Sequence, residues 1–85
     1  MRSKWLVYIL RCKGGSLYTG ITNDLPRRLE QHRAGLAAKY TAARRPVRLV
    51  YTEPSTGRPR ALRREAAIKS LSRAQKIKLI HGVGR

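Results

Sequence analysis

Six consecutive apolar or aromatic residues, Trp5 to Leu10, constrain the fold of this 85-residue chain more than any other feature. In an extended strand Trp5, Val7 and Ile9 share one face and Leu6, Tyr8 and Leu10 the other, so a strand over Trp5 to Cys12 has to be covered on at least one side. Arg11 closes the run. It falls far short of the roughly 20 residues of a spanning helix, and short of the seven or so of a secretory signal core. The length allows one small domain, expected over residues 1–85 with its core at about 5–80. A chain of this size buries only about 60–65% of the surface its unfolded form exposes, so the core should be thin and shared between two layers. Apolar residues make up 41% of the sequence, above the level of a disordered basic tail, and the chain is expected to fold.

Lys13-Gly14-Gly15-Ser16 is a turn signal. A second strand, Leu17 to Thr22, turns Leu17, Thr19 and Ile21 one way and Tyr18, Gly20 and Thr22 the other. Asn23 or Asp24 can cap a first helix that tolerates Pro26 in its first turn and stops at Gly35. On that helix Leu25, Leu29 and Leu36 stack within about 40° of one another, with His32 about 20° from Leu25 and Arg28 at the margin of the stripe. Leu36 to Arg45 reads as a basic connector. Val47, Leu49 and Tyr51 then alternate with Arg48, Val50 and Thr52, a third strand with one apolar face. Thr56 or Ser55 would cap a second helix from about Arg58 to Leu71. Ser72-Arg73-Ala74-Gln75 has the form of a capping box, which begins a third helix ending near Gly82. The order is β-β-α-β-α-α, an α/β (α+β) fold without internal repeats or a linker long enough to divide domains.

Twenty Lys and Arg stand against four Asp and Glu, a formal charge of +16. Such a charge repels itself at low salt and attracts polyanions, nucleic acid foremost. An anionic membrane fits less well, because surface binding needs a wide apolar face beside the basic one and the apolar stripes here are used by the core. The single cysteine, Cys12, leaves no intramolecular disulfide and no Cys-rich zinc framework. It reads as a small strand residue of a protein in a reducing cytoplasm. A monomer is the expectation.

The four acids are Asp24, Glu30, Glu53 and Glu65. Two-metal nuclease sites need several carboxylates, so any metal here would be single and held mostly by water and phosphate oxygens, as Mg2+ usually is. Ala61, Leu62 and Ile68 fall within about 60° of Glu65 on the second helix, which puts this carboxylate on an apolar stripe. It needs a partner there. An i,i+4 pair with Lys69 and a buried pair with an arginine of the sheet are structural answers; a metal-binding or catalytic role is the functional one. Arg28 and His32, one turn apart, are each unremarkable alone, a solvated cation and a half-buried histidine. Together they suit phosphate binding and proton transfer. Tyr18 shares its face with Gly20, whose missing side chain leaves room for a substrate backbone, and adjacent cations lower the pKa of a phenol such as Tyr8 or Tyr18.

These residues, in order, resemble the GIY-YIG nuclease domain. Leu6-Val7-Tyr8 stands for the first motif and Tyr18-Thr19-Gly20 for the second, followed by Arg28, His32 and Glu65. Lys39-Tyr40-Thr41 with Arg44-Arg45-Pro46-Val47 is similar to the small stand-alone bacterial branch, URI-type or UPF0213-like. The chain departs from the pattern at Leu6, at Thr19 and in lacking an asparagine near the end of the domain. The resemblance implies a three-stranded antiparallel sheet flanked by helices, with the tyrosines, the arginine and the glutamate gathered on one surface. It implies hydrolysis of DNA phosphodiester bonds with a single Mg2+ or Mn2+, in DNA repair or recombination. Glu65 would hold the metal, Arg28 would stabilise the phosphate, and Tyr18 with Tyr8 would position or deprotonate the water. His32 matches a histidine of part of the family, and Tyr40 falls where some relatives place a polar site residue.

Two functions follow from these features: a metal-dependent DNA endonuclease, or a basic nucleic-acid-binding module that keeps the fold without catalysis. Lys39, Tyr40, Arg44, Arg45, Arg63, Arg64, Lys69 and Lys76 are the candidate DNA contacts under either, since phosphate contacts carry no sequence information. The endonuclease better accounts for an inward carboxylate, because a negative charge beside a polyanion opposes mere binding.

Overall fold

A computed structural model describes residues 4–82. The apolar run forms strand β1 (Trp5–Arg11), the middle strand of a three-stranded antiparallel sheet ordered β2-β1-β3. A middle strand has two neighbours and two faces to cover, which is why both alternating sets of β1 are apolar. A 3₁₀ turn at Lys13–Gly15 links it to β2 (Leu17–Thr22), paired so that Tyr8 lies opposite Gly20 and Leu10 opposite Tyr18.

Helices cover both faces of the sheet. On one, Val7 and Ile9 meet Ala61 and Ile68 of a helix spanning Arg58–Lys69, together with Leu79 and Ile80 of the last helix, Arg73–His81. On the other, Tyr8, Leu10, Cys12 and Val47 pack with Leu25 and Leu29 of helix α1 (Leu25–Arg33). The core is therefore two thin clusters divided by the sheet, three layers in place of the expected two.

Helix α1 is capped by Asp24, whose carboxylate accepts from the Arg27 amide at 3.3 Å. It ends earlier than its leucine stripe suggests. Gly35 has φ +79°, a backbone that side chains rarely adopt, and it swings the chain away so that Leu36 is 80% exposed instead of joining Leu25 and Leu29. The connector also contains a helical turn, α2 (Lys39–Ala42), that was not expected. It is too short for periodicity to register, and its buried member, Thr41, is held by a contact from α1 rather than by its own sequence.

Strand β3 covers Arg48–Ser55, longer than the alternation implied, with Pro54 tolerated because the strand is an edge. Ile9 pairs with Tyr51 but Leu10 with Leu49, so Val50 is an extra residue, a β-bulge. The bulge sends Val47 and Leu49 to the α1 face and Val50 and Tyr51 to the other, which corrects the single apolar face read from strict alternation. Because β3 continues through Ser55, neither Ser55 nor Thr56 caps α3 (Arg58–Lys69); the N-cap is Gly57, without a side-chain bond. Helix α4 (Arg73–His81) starts at the expected capping box, Ser72 and Gln75 each bonding the other's amide, and closes at Gly82.

Candidate active site

Tyr8 sits at the centre of β1, 1% exposed, with its ring laid across Gly20 of the neighbouring strand. A Cβ at position 20 would stand 2.6 Å from the Tyr8 hydroxyl oxygen and 2.7 Å from Cζ. The space left by Gly20 therefore holds the Tyr8 phenol, not a substrate backbone. Pairing opposite Gly20 is what lets a large ring lie flat inside the sheet–helix interface.

Helix α1 brings His32 to the same spot. The ring is fully buried; Nε2 is hydrogen-bonded to the Tyr8 hydroxyl at 2.8 Å and Nδ1 to the Thr41 hydroxyl of α2 at 2.7 Å. Both nitrogens are thus committed inside the protein. Burial, and then the positive charge of Arg28, push the His32 pKa down, so the ring is neutral. For Tyr8 burial dominates as well: it pushes the phenol pKa up, helped by Tyr18 and Glu65, and the opposing pull of Arg28 does not offset it. The expected lowering of a phenol pKa by neighbouring cations does not occur at Tyr8.

The groups that act electrostatically on Tyr8 are Tyr18, Arg28 and Glu65, one each from β2, α1 and α3. Tyr18 is half-buried. Its ring meets the edge of His32 at 5.3 Å, and its hydroxyl bonds to no described residue. The two motif tyrosines are thus unlike: one is locked inward and one keeps a free hydroxyl. Arg28 is half-buried and, with Arg27 and Gln31, lines a pocket of about 300 Å3 at the junction of β2 and α1. Glu65 pairs with Lys69 at 3.3 Å, its side chain 19% exposed. The carboxylate on the apolar stripe thus has the i,i+4 partner that its spacing offered.

The arginine-to-carboxylate pair belongs instead to Glu53. Arg64 reaches both its oxygens, Nε at 2.6 Å and Nη2 at 3.1 Å, and the Tyr51 hydroxyl donates to it at 2.6 Å. Burial alone would raise the Glu53 pKa, but the bonds from Arg64 and Tyr51 and the guanidinium charge hold it below the usual carboxylate range. Arg64 is therefore anchored on the sheet, whereas Arg63 is exposed beside it in a groove of about 410 Å3.

Of the connector residues, Tyr40 stacks on Tyr18, ring centroids 6.0 Å apart, and the Arg44 guanidinium lies 3.8 Å over the Tyr40 ring while donating to its carbonyl. Arg45 donates to the carbonyls of Ala42 and Arg33, closing the ends of α2 and α1. Lys39 is exposed and Lys76 half-buried. Sequence reasoning assigned no role to Thr41; its place in the Lys39-Tyr40-Thr41 triplet was the available signal.

Among the described residues no three of His, Cys, Asp and Glu gather into a metal cage. The donors on hand are a single carboxylate and phenol oxygens. That set suits a hard cation such as Mg2+, which takes one or two carboxylates and completes its shell with water and phosphate. No described helix is long and apolar enough to cross a membrane.

A family model, the GIY-YIG catalytic domain, matches residues 4–78. A UPF0213 protein of Staphylococcus haemolyticus is 51% identical over 92% of this chain and 95% of its own length. Another, from Cupriavidus pinatubonensis, is 49% identical over 87% and 82%. The solution structure of a UPF0213 protein from Bacillus halodurans is 46% identical, with a TM-score of 0.61 over 95% of this chain and 86% of that one. With a nuclease-type fold, its two tyrosine triplets on adjacent strands and relatives matched along nearly their whole length, the chain belongs to the GIY-YIG family.

Proposed function

We propose that the protein is a divalent-metal-dependent endonuclease that hydrolyses DNA phosphodiester bonds, in repair or recombination. What supports this reading is that Tyr18, Arg28 and Glu65, carried by three separate elements, all act electrostatically on Tyr8. In a chain of charge +16, one of only four carboxylates acts on the same buried phenol as Arg28 does.

The roles follow from what each group can do. Arg28 presents a planar, permanently charged fork at the edge of its pocket and would bind two oxygens of the scissile phosphate. That positive charge is fixed before the reaction, so it stabilises the extra negative charge of the transition state without reorganising. Tyr18, with its hydroxyl unspent, would accept a hydrogen bond from the attacking water and hold it in line. Tyr8 and His32 form the floor on which Tyr18 rests. Glu65 would hold a single Mg2+ or Mn2+, exchanging Lys69 for the metal. Such an ion, when bound, polarises the phosphoryl oxygens and lowers the pKa of a coordinated water. DNA would be retained by Lys39, Tyr40, Arg44, Arg63 and Lys76 through sequence-independent contacts.

A binding module without catalysis is the second reading. The Glu65–Lys69 pair favours it, since it gives the carboxylate a structural use. The two readings part in one assay, in which purified protein is incubated with end-labelled single-stranded, duplex and branched DNA, with Mg2+, Mn2+ or EDTA. Metal-dependent cleavage of at least one substrate is expected. Binding to all of them with no cleavage under any condition would leave only the module.

A further inference from the structure

Thr41 has one hydroxyl hydrogen and two polar neighbours, the Ala38 carbonyl oxygen and His32 Nδ1. Its hydroxyl donates to the Ala38 carbonyl at 3.2 Å, the turn of α2 on which both sit. Towards His32 Nδ1, 2.7 Å away, it therefore offers only a lone pair, and Nδ1 must carry the hydrogen. A neutral imidazole has a single N–H, so Nε2 is bare and the Tyr8 hydroxyl, 2.8 Å from it, has to donate. The hydrogen of Tyr8 is thereby spent inwards. What its oxygen can still offer to Tyr18, Arg28 and Glu65 is a lone pair.

We propose that Thr41 is a positioning residue that locks His32 in the Nδ1–H tautomer and so makes Tyr8 a pure acceptor towards the candidate active site. A pure acceptor sorts the oxygens that approach it. With its hydrogen given to His32, Tyr8 has no donor for a phosphate oxygen, itself an acceptor, which is left to Arg28. The chain Ala38, Thr41, His32, Tyr8 thus runs from the α2 backbone to the centre of the sheet with each hydrogen bond fixing the direction of the next. That use rests on the nuclease reading; the tautomer itself does not.

Long-range 1H–15N NMR of the intact 15N-labelled protein, read at pH 7.5, reports which ring nitrogen of His32 carries the hydrogen, with exposed His81 as an internal contrast. The wild type is expected to show Nδ1–H alone. In Thr41→Val the acceptor is gone, and the ring should turn to Nε2–H, which reverses the Tyr8 bond; Thr41→Ser should restore Nδ1–H. An Nε2–H or mixed wild type, or an unchanged tautomer in Thr41→Val, overturns the lock. Should Thr41→Val not fold, the wild-type and Thr41→Ser spectra decide alone. In the cleavage assay Thr41→Val should lower kcat about tenfold at unchanged KM, and Thr41→Ser should recover it. A switched tautomer with unchanged kcat refutes the catalytic use of the lock. Wild-type protein that does not cleave while the tautomer is as expected instead refutes the nuclease reading and leaves the lock standing.

Discussion

Tyr8 and Tyr18 come from like triplets, but their surroundings assign them opposite jobs. Tyr8 is buried over Gly20 and bonded to His32, and Tyr18 keeps its hydroxyl free. Gly20→Ala would drive a methyl into a phenol that has nowhere to go, and a loss of about 1–3 kcal/mol is expected in urea unfolding. Acid should weaken the protein in two separate windows. His32 has a folded pKa below its ordinary 6.5, so the unfolded chain takes up the proton first and stability falls as the pH drops below about 6.5. Glu53, held below 4.5, has the same sign, and its contribution is lost only as the pH falls through 4.5 and lower. Urea midpoints measured from pH 8 to 3 should show both declines, and His32→Gln should remove the upper one. Little of this was legible beforehand. Residue types and spacing brought out Arg28, His32 and Glu65 as a set, but a bond such as His32 to Thr41 depends on how two helices meet across a glycine-terminated turn, and the spacing of neither residue records that.

The elements themselves were mostly written in local signals. The two-sided apolar run made β1 the middle strand, and Asp24 and Ser72 capped the helices whose starts they marked. Ser72→Ala removes one half of the capping box and should cost about 1 kcal/mol, read from the shift in denaturation midpoint. The features that escaped are those in which long-range pairing overrides the local pattern. The bulge at Val50 is the clearest, since alternation placed Leu49 and Tyr51 together and pairing with β1 separates them. Deleting Val50 should remove the bulge while Tyr51 stays opposite Ile9 and Leu49 opposite Leu10, so Val47 and Leu49 keep their places in the α1 cluster. The deletion should cost only what the half-buried Val50 side chain contributes, about 1–2 kcal/mol, with cooperative unfolding retained in circular dichroism.

Taken whole, the molecule is a slab about 20 Å thick and 33 Å across, with two thin clusters and an excess of positive charge on its outside. Three of its four acids have structural partners: Asp24 at the α1 cap, Glu53 on Arg64 and Glu65 on Lys69. Most of the described cations are thus left without an acidic partner within the protein, and on the proposed reading DNA affinity should fall steeply with salt. Arg63→Gln should reduce the slope of log K against log salt by about 1 and weaken every DNA substrate alike. The +16 charge was plain in the composition; which of the cations are already spoken for, as Arg64 and Arg45 are, was not.

On the proposed nuclease reading, Glu65 serves chemistry rather than folding. Its ion pair with Lys69, exposed at the lysine end, is an i,i+4 contact of a kind worth about 0.3–0.5 kcal/mol, so Glu65→Gln should leave the fold intact. Single-turnover cleavage by wild type and Glu65→Gln, at saturating DNA and with Mg2+ in excess over DNA, is the most direct measurement. The account predicts a rate at least about a hundredfold lower in the variant with DNA binding retained or slightly tighter. Cleavage at the wild-type rate by Glu65→Gln would contradict it.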